Sequence, residues 1–431
     1  MRRYLRLFLS TAIAAAALAQ TPRPSDWLSA GGNAQRTGWE ENDSDFQKSG
    51  VKGFKAVLQR KFDSPPGHLM APLIIGRLIS YKGFKELAIV VSSSGHVRAV
   101  DVDLNQVFWE RQLPAPANTC APGITAMPAM MPAPDLPPGT PGRNAPRPIH
   151  VLSSDGKLYR LNPSTGEDVA PPVSFIPAGA AASNLAVVDN VAYTTTAAGC
   201  GATDAVWALD LHDSTSKVAS YPLKGRATAP AVGHDGTISV QTADAGLLAL
   251  SPKDLKLKQS LAVAGGSVTP VVFPWKGQDL IAGADGSRLY LADSPISRTE
   301  PLDAAVVALS TWEDSAHVRW IVAAASKYYA AFRVEDQSGQ PVLTKVWQSN
   351  SLIAPQKPAI ANGVVFGLEA GDATHHARLH AFDAATGSEL FSSGDQIPSA
   401  ANPTGLSFAN GRAYFTTVDN TLFAFGQPME Q

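Results

Sequence analysis

The sequence predicts an all-β protein, an eight-bladed β-propeller of four-stranded antiparallel blades closed by an N-terminal strand, and three observations carry that prediction. One short β pattern recurs about eight times; its last copy is a strand short; and a spare strand stands ahead of the first copy.

The recurring unit is an alternating β segment, a small turn of Gly, Asp or Asn, and a second segment approximating x-Φ-x-Ala/Leu-Φ-Asp, where Φ is apolar. It reads HVRAVD to Asp101, KLYRLN to Asn162, AVWALD to Asp210, GLLALS to Ser251, RLYLAD to Asp293, YYAAFR to Arg333, RLHAFD to Asp383 and TLFAFG to Gly426. These ends lie 61, 48, 41, 42, 40, 50 and 43 residues apart. A period in the forties with only β signals is what one four-stranded blade consumes.

In the clearest copy, residues 359–366 read as one strand, 364–368 run through a turn-rich tip to 378–383, and 388–391 close the unit. Asn362-Gly363 and Thr386-Gly387 supply turns, because Asn and Gly tolerate the positive φ that hairpins require. The last copy, residues 406–425, offers only three strands, whereas residues 54–62 form a strand with no unit of their own. Pairing the early strand into the last blade closes the ring and removes its open edges.

Residues 1–19 place Arg2, Arg3 and Arg6 before an apolar run from Leu7 to Leu18, ending in Ala17-Leu18-Ala19. This is the pattern of a secretory signal peptide cut near Ala19, and the run is too short to span a bilayer. No Cys follows it, so a lipid anchor is not indicated. The expected organisation is a signal peptide (1–19), an N-terminal lead-in (20–53), one propeller (54–426) with a Pro-rich insertion (114–148), and a short tail (427–431), exported to the periplasm or beyond. Removing the signal takes three bases and no acids, leaving 32 basic against 37 acidic residues, net −5. That balance argues against nucleic acid as a partner. No later segment is apolar and long enough for a membrane span, and a monomeric propeller with a protein partner is expected.

Cys120 and Cys200 are the only cysteines. In an oxidising compartment two thiols are expected to pair, and neither a C-x-x-C nor a C-x-x-C-H motif offers a metal, redox or haem alternative. Two separate buried thiols are the other reading. Residues 114–148 hold 11 prolines, a density that resists a β ladder and suggests a surface excursion between the first two blades. Cys200 lies in AAGCGATD, a comparable insertion in the third unit. If the cysteines pair, both insertions share one face, which becomes the candidate binding surface.

Three stretches give the chain a family resemblance. The run Asp383-Ala384-Ala385-Thr386-Gly387-Ser388-Glu389-Leu390-Phe391 resembles the A-x-D-x-x-T-G-x-x-x-W blade motif of the pyrroloquinoline quinone (PQQ) repeat propellers, with Phe391 in the Trp place. Asn162-Pro163-Ser164-Thr165-Gly166-Glu167 is similar, and residues 26–38, from Asp26-Trp27 to Thr37-Gly38, look like that family's mature N-terminus. The resemblance implies that Trp109 and Trp347 dock each blade on the next.

It leaves function open. A quinoprotein dehydrogenase acting on alcohols or sugars requires PQQ, calcium oxygen ligands, an Asp base and, in many members, an adjacent Cys pair. This chain has no such pair, is shorter than those enzymes and lacks their long inserts. The favoured expectation is a non-catalytic interaction or assembly scaffold with no cofactor, resembling the scaffold members of the family; a calcium- and PQQ-dependent enzyme, or a module for extracellular carbohydrate or peptide, are the alternatives.

Two further clusters have ordinary explanations. His375, His376 and His380 share one hairpin, and on extended strands His376 and His380 point to one side, as zinc or copper ligands can. With only Asp372 nearby, a polar hairpin tip explains them better. Asp155-Gly156, Asp235-Gly236 and Asp285-Gly286 precede strands without the D-x-D-x-D-G calcium loop, so turn chemistry accounts for them.

Overall fold

The computed structural model describes residues 25–41, 43–63, 68–80, 83–115, 123–134, 140, 147–212, 216–263, 265–292, 296–299 and 301–428. Residues 1–24, and with them the expected signal peptide, lie outside the described residues, as does Cys120.

Eight sheets follow one another around an axis. Blades 1 to 7 comprise residues 73–112, 149–174, 186–222, 231–261, 271–298, 306–348 and 359–392, the second with three strands of its own; blade 8 comprises residues 407–426 together with Lys55–Lys61. Apart from the strands that the N-terminal segment adds to blades 7 and 8, the strands within each blade are antiparallel neighbours in chain order. The first strands of successive blades touch one another along much of the ring, which places them innermost.

The ring closes as the strand count requires. Lys55–Lys61 runs antiparallel to Thr421–Gly426 as the outermost strand of blade 8, with a bulge between Ala56 and Leu58. Phe54, Leu58 and Phe62 are buried along it. Across the seam to blade 1, Arg412 donates to Glu86 (2.8 Å) and Asp103 (3.1 Å). Among the described residues no helix is long and apolar enough to cross a membrane.

Two local expectations change. Residues 359–366 are not one strand: the chain reverses at Asn362-Gly363 (φ 43° and 76°), giving Ala359–Ala361 paired antiparallel with Val364–Glu369. Nor is the whole Pro-rich stretch a surface excursion. Ile124, Ala126, Met127, Ala129 and Met130 are buried, and Ala129 bridges to His150 with both backbone hydrogen bonds formed, so this part lies along the inner edge of the three-stranded sheet of blade 2. Pro128 is tolerated there because an innermost segment has one unpaired edge, where a missing N–H costs no ladder bond.

The Trp positions dock adjoining blades. Trp109 Nε1 donates to Pro163 O in blade 2, and Trp347 Nε1 to Ala384 O in blade 7, each at 2.8 Å. The indoles lie over the Thr-Gly turns of the next blade. A Cβ on Gly166 would fall 2.6 Å from the Trp109 ring, and one on Gly387 2.7 Å from the Trp347 ring, while both glycines hold positive φ. The motif thus couples an aromatic on one blade to a residue without a side chain on the following one. Phe391, in the Trp place of blade 7, packs edge-on against Phe54 and near Phe425 of blade 8.

The lead-in threads the ring from inside. Trp27 exchanges backbone hydrogen bonds with Ile74 of blade 1, and Leu28 O accepts from Met130 at the inner edge of blade 2. Arg36 donates to Leu185 O at the start of blade 3. Ala34 O accepts from Val232, Gln35 O from Val272, Thr37 O from Thr311 and Gly38 O from Ile360, in blades 4, 5, 6 and 7. Trp39–Glu40 then pairs in parallel with blade 7, and Asp43 accepts from the Gly411 N–H of blade 8. One short segment therefore bonds to all eight blades, satisfying inner-edge groups that would otherwise face one another unpaired.

Candidate functional site

At one end of the axis lies a cavity of about 660 Å³, within the size range of small-molecule sites. Its wall draws on every blade: Ala71, Thr125, Asn184 and Ala229 from the first four, Thr269, Leu309, Lys357 and Thr404 from the last four. Most of these residues belong to connections that lead from one blade into the next. The floor is the threaded lead-in, represented by Trp27, Ala30, Gly31 and Arg36.

Arg36 is 2% exposed. Its φ of 63° turns the backbone so that the guanidinium reaches outward to the inner strands. Nε donates to Pro230 O (2.9 Å), Nη1 to Ala30 O (2.8 Å), and Nη2 to Leu185 O (2.9 Å) and Asn184 O (3.2 Å). The planar fork suits such divergent carbonyls, and no carboxylate is among these partners. Burial pulls its pKa down to about 10, which leaves it charged at neutral pH.

Lys357 is half-buried, its stem against Gly31 and its Nζ held between Arg36 O (3.0 Å) and Leu309 O. Desolvation, and secondarily the Arg36 charge, push its pKa down to about 7. The two cations are adjacent, and among the described lining residues there is no Asp or Glu.

This chemistry bears on the cofactor that the family resemblance brings with it. Calcium is held by oxygen ligands that normally include carboxylates, and an alcohol-oxidising quinone site needs a carboxylate base. The described wall offers hydroxyls, amides, two cations and apolar side chains. That donor set does not fit a calcium–quinone centre.

The residues singled out in the sequence lie elsewhere. Cys200 sits at the tip of the hairpin joining Val191–Thr196 to Ala205–Asp210, in a tight reversal bridged by Gly199 and Ala202. That hairpin is on the cavity's face, since Ala197 N donates to Ala181 O in the connection entering blade 3. The described ends of the connection containing Cys120 lie on the same face: Leu113 bonds to Gly95, and Gly123 O accepts from Ser154, both at hairpins of that side.

The histidines do not converge. His375 is bound into a turn by Asp372 (2.9 Å), His376 is exposed ahead of the strand Arg378–Asp383, and His380 is buried between Glu389 (2.7 Å) and Glu369 (3.2 Å). The expectation that His376 and His380 share a strand face fails because only His380 is in the strand. Among the described residues no group of three His, Cys, Asp or Glu side chains is placed to hold a metal. Asp155 and Asp235 accept from the backbone N–H two residues on (3.0 and 2.8 Å), as turn residues do.

Arg36 and Lys357 were not singled out from sequence. Arg36 had one visible signal, a long cation in the Gly- and Ala-rich run AGGNAQRTG; Lys357, in APQKPAIA, had none.

No family model matches the chain, and no curated protein does. Solved structures match throughout its length. Quinohemoprotein alcohol dehydrogenase from Comamonas testosteroni aligns with a TM-score of 0.62 at 12% identity over 96% of this chain and 82% of its own. BamB from Moraxella catarrhalis aligns at 0.53, with 15% identity, over 88% and 99%. The computationally designed Ika8 protein aligns at 0.59, with 15% identity, over 86% and 99%. The chain therefore has the propeller fold that these dehydrogenase, BamB and designed structures share.

Proposed function

We propose that the protein is an exported, non-catalytic propeller that serves as an interaction or assembly scaffold, presenting the face around the axial cavity to a protein partner. The observation that carries this reading is the make-up of the cavity wall: every blade contributes to it, yet its described residues supply no carboxylate for calcium or for proton abstraction. A floor made by the chain's own lead-in, fixed to all eight blades, suits a rigid platform. Likeness to BamB and to dehydrogenases is a likeness of fold, so support for the scaffold reading comes from the wall chemistry.

The competing reading, a quinoprotein dehydrogenase, makes the opposite forecast. Titrating the purified protein with PQQ and Ca²⁺ and following dye reduction with a panel of alcohols and sugars is expected to give no turnover above the protein-free control. Saturable turnover with any of them overturns the scaffold reading.

The Cys120–Cys200 bridge is part of the same proposal, because it ties two insertions together on the cavity's face. Counting thiols in denaturant without reductant is expected to give none reactive. Two reactive thiols reject the bridge, and with it the cap it would form.

A further inference from the structure

The polar groups around the axial cavity are unbalanced in one direction. Thr125 Oγ1 accepts from Ala182 N (3.0 Å), Thr404 Oγ1 from Ala71 N (2.9 Å) and Asn184 Oδ1 from Met127 N (2.9 Å). Each side chain thus has an acceptor engaged and keeps hydrogens to give. Trp27, also lining the cavity and 1% exposed, buries an indole N–H with no acceptor among the described residues. Beside these stand the Arg36 charge and the Lys357 ammonium, which spends two of its three N–H groups on carbonyls.

Donors and positive charge without a carboxylate call for an acceptor that carries negative charge. Arg36 supplies field, since its N–H groups are committed to backbone carbonyls; Lys357 retains an N–H for direct contact. Met70, Met127 and Leu406 line the same space, so a ligand with an apolar body is accommodated.

We propose that the axial cavity is a binding site for a small organic oxyanion, whose carboxylate or phosphate group is received by Lys357 above the buried Arg36 charge, with the apolar wall holding the rest of the molecule. This site stands whether or not the surrounding face docks a protein partner.

The geometry also sets the pH dependence. Arg36 is the one other charged group among the described lining residues, and with desolvation it holds Lys357 near neutrality, its pKa at about 7. An anion is received by the charged lysine, so affinity strengthens as pH falls through that value.

The test is calorimetric titration without quinone or calcium, with succinate and inorganic phosphate as separate arms, at pH 6 and pH 8.5. Saturable binding of at least one probe at pH 6 is expected, and the arm that binds identifies the head group. Affinity should fall about tenfold or more at pH 8.5. Lys357→Met should lose about tenfold or more at pH 6, whereas Lys357→Arg should bind succinate, largely a dianion throughout, nearly alike at both pH values, the side chain's charge no longer titrating. The pH comparison is read on that arm because phosphate itself gains charge in this range. No saturable binding of either probe at pH 6, or equal binding by Lys357→Met, overturns the site. If Lys357→Met does not fold, a pH dependence in Lys357→Arg equal to the parent's overturns it instead. Because quinone and calcium are absent, failure here is distinct from failure of the scaffold reading.

Discussion

A chain beginning at Asp63, lacking both lead-in and closing strand, is expected to yield no folded monomer. It would expose the outer edge of Thr421–Gly426, which Lys55–Lys61 covers, and uncover apolar surface that Phe54, Leu58 and Phe62 now seal. Burial of one such side chain stabilises by about 1.5–3 kcal/mol, so the three together rival the whole margin of a typical domain. An open, unpaired strand edge also recruits further chains. Gel filtration and thermal unfolding by circular dichroism check this: aggregation and no cooperative transition are expected, with partial recovery when a peptide spanning residues 25–62 is supplied. A truncated chain that elutes as a monomer and melts at the parent temperature would show that the ring holds without its closure.

Substituting Arg36 should have the largest effect of any single side chain in the lead-in. Arg36→Met leaves the carbonyls of Ala30, Pro230 and Leu185 without their donor at the axis. Orphaning buried acceptors costs about 1–3 kcal/mol each; relief from burying a lone cation offsets part, for a net loss of about 3 kcal/mol. Arg36→Lys should not restore it, because a single ammonium cannot reach carbonyls on blades 3 and 4 and within the lead-in together. Denaturant unfolding measures both variants.

The same substitution tests the coupling to Lys357. In the unfolded chain that lysine holds its proton to about pH 10.4; in the folded protein it sheds it near pH 7. Between those values the unfolded state binds more protons, so this lysine makes stability rise with pH from about 7 to about 10. Without the Arg36 charge the folded value rises, with desolvation still holding it below normal, so the rise in stability should begin at a higher pH. An unchanged onset in Arg36→Met would mean that the two groups do not interact.

Much of the fold could be read before any coordinates. Blades are local: each repeat carries its own alternation, and several carry an Asn-Gly, Asp-Gly or Thr-Gly turn, so the count of eight and the missing strand were visible in the chain. The Trp109 and Trp347 docking sites were visible too, since the motif joins ring and turn at a fixed repeat position. Residues 123–130 were misread because proline density is a statement about hydrogen-bond donors, and an inner edge can spare them. Residues 359–366 were joined into one strand because apolar content outweighed the turn at Asn362-Gly363.

The axial site was not legible for a different reason. Arg36 and Lys357 are 321 positions apart and meet only when blade 7 returns to the lead-in. No spacing rule links such residues. The clusters that did stand out, the histidines and the Asp-Gly pairs, did so because they are close in sequence, and closeness in sequence mostly reports turns.

The lead-in has one more consequence, for how the number of blades is fixed. Neighbouring blades of a propeller meet through similar surfaces, and nothing in such a contact says when to stop. Here residues 25–43 act as a ruler: every blade from the first to the eighth has at least one partner among them, and the backbone partners run in blade order while the long Arg36 side chain reaches back to blade 3. A chain that lost or duplicated a blade would have to lay this ruler on a ring of the wrong circumference, leaving marks without blades or blades without marks. Growth or shrinkage by whole repeats, open to a plain ring, is closed to this one unless residues 25–43 change in step.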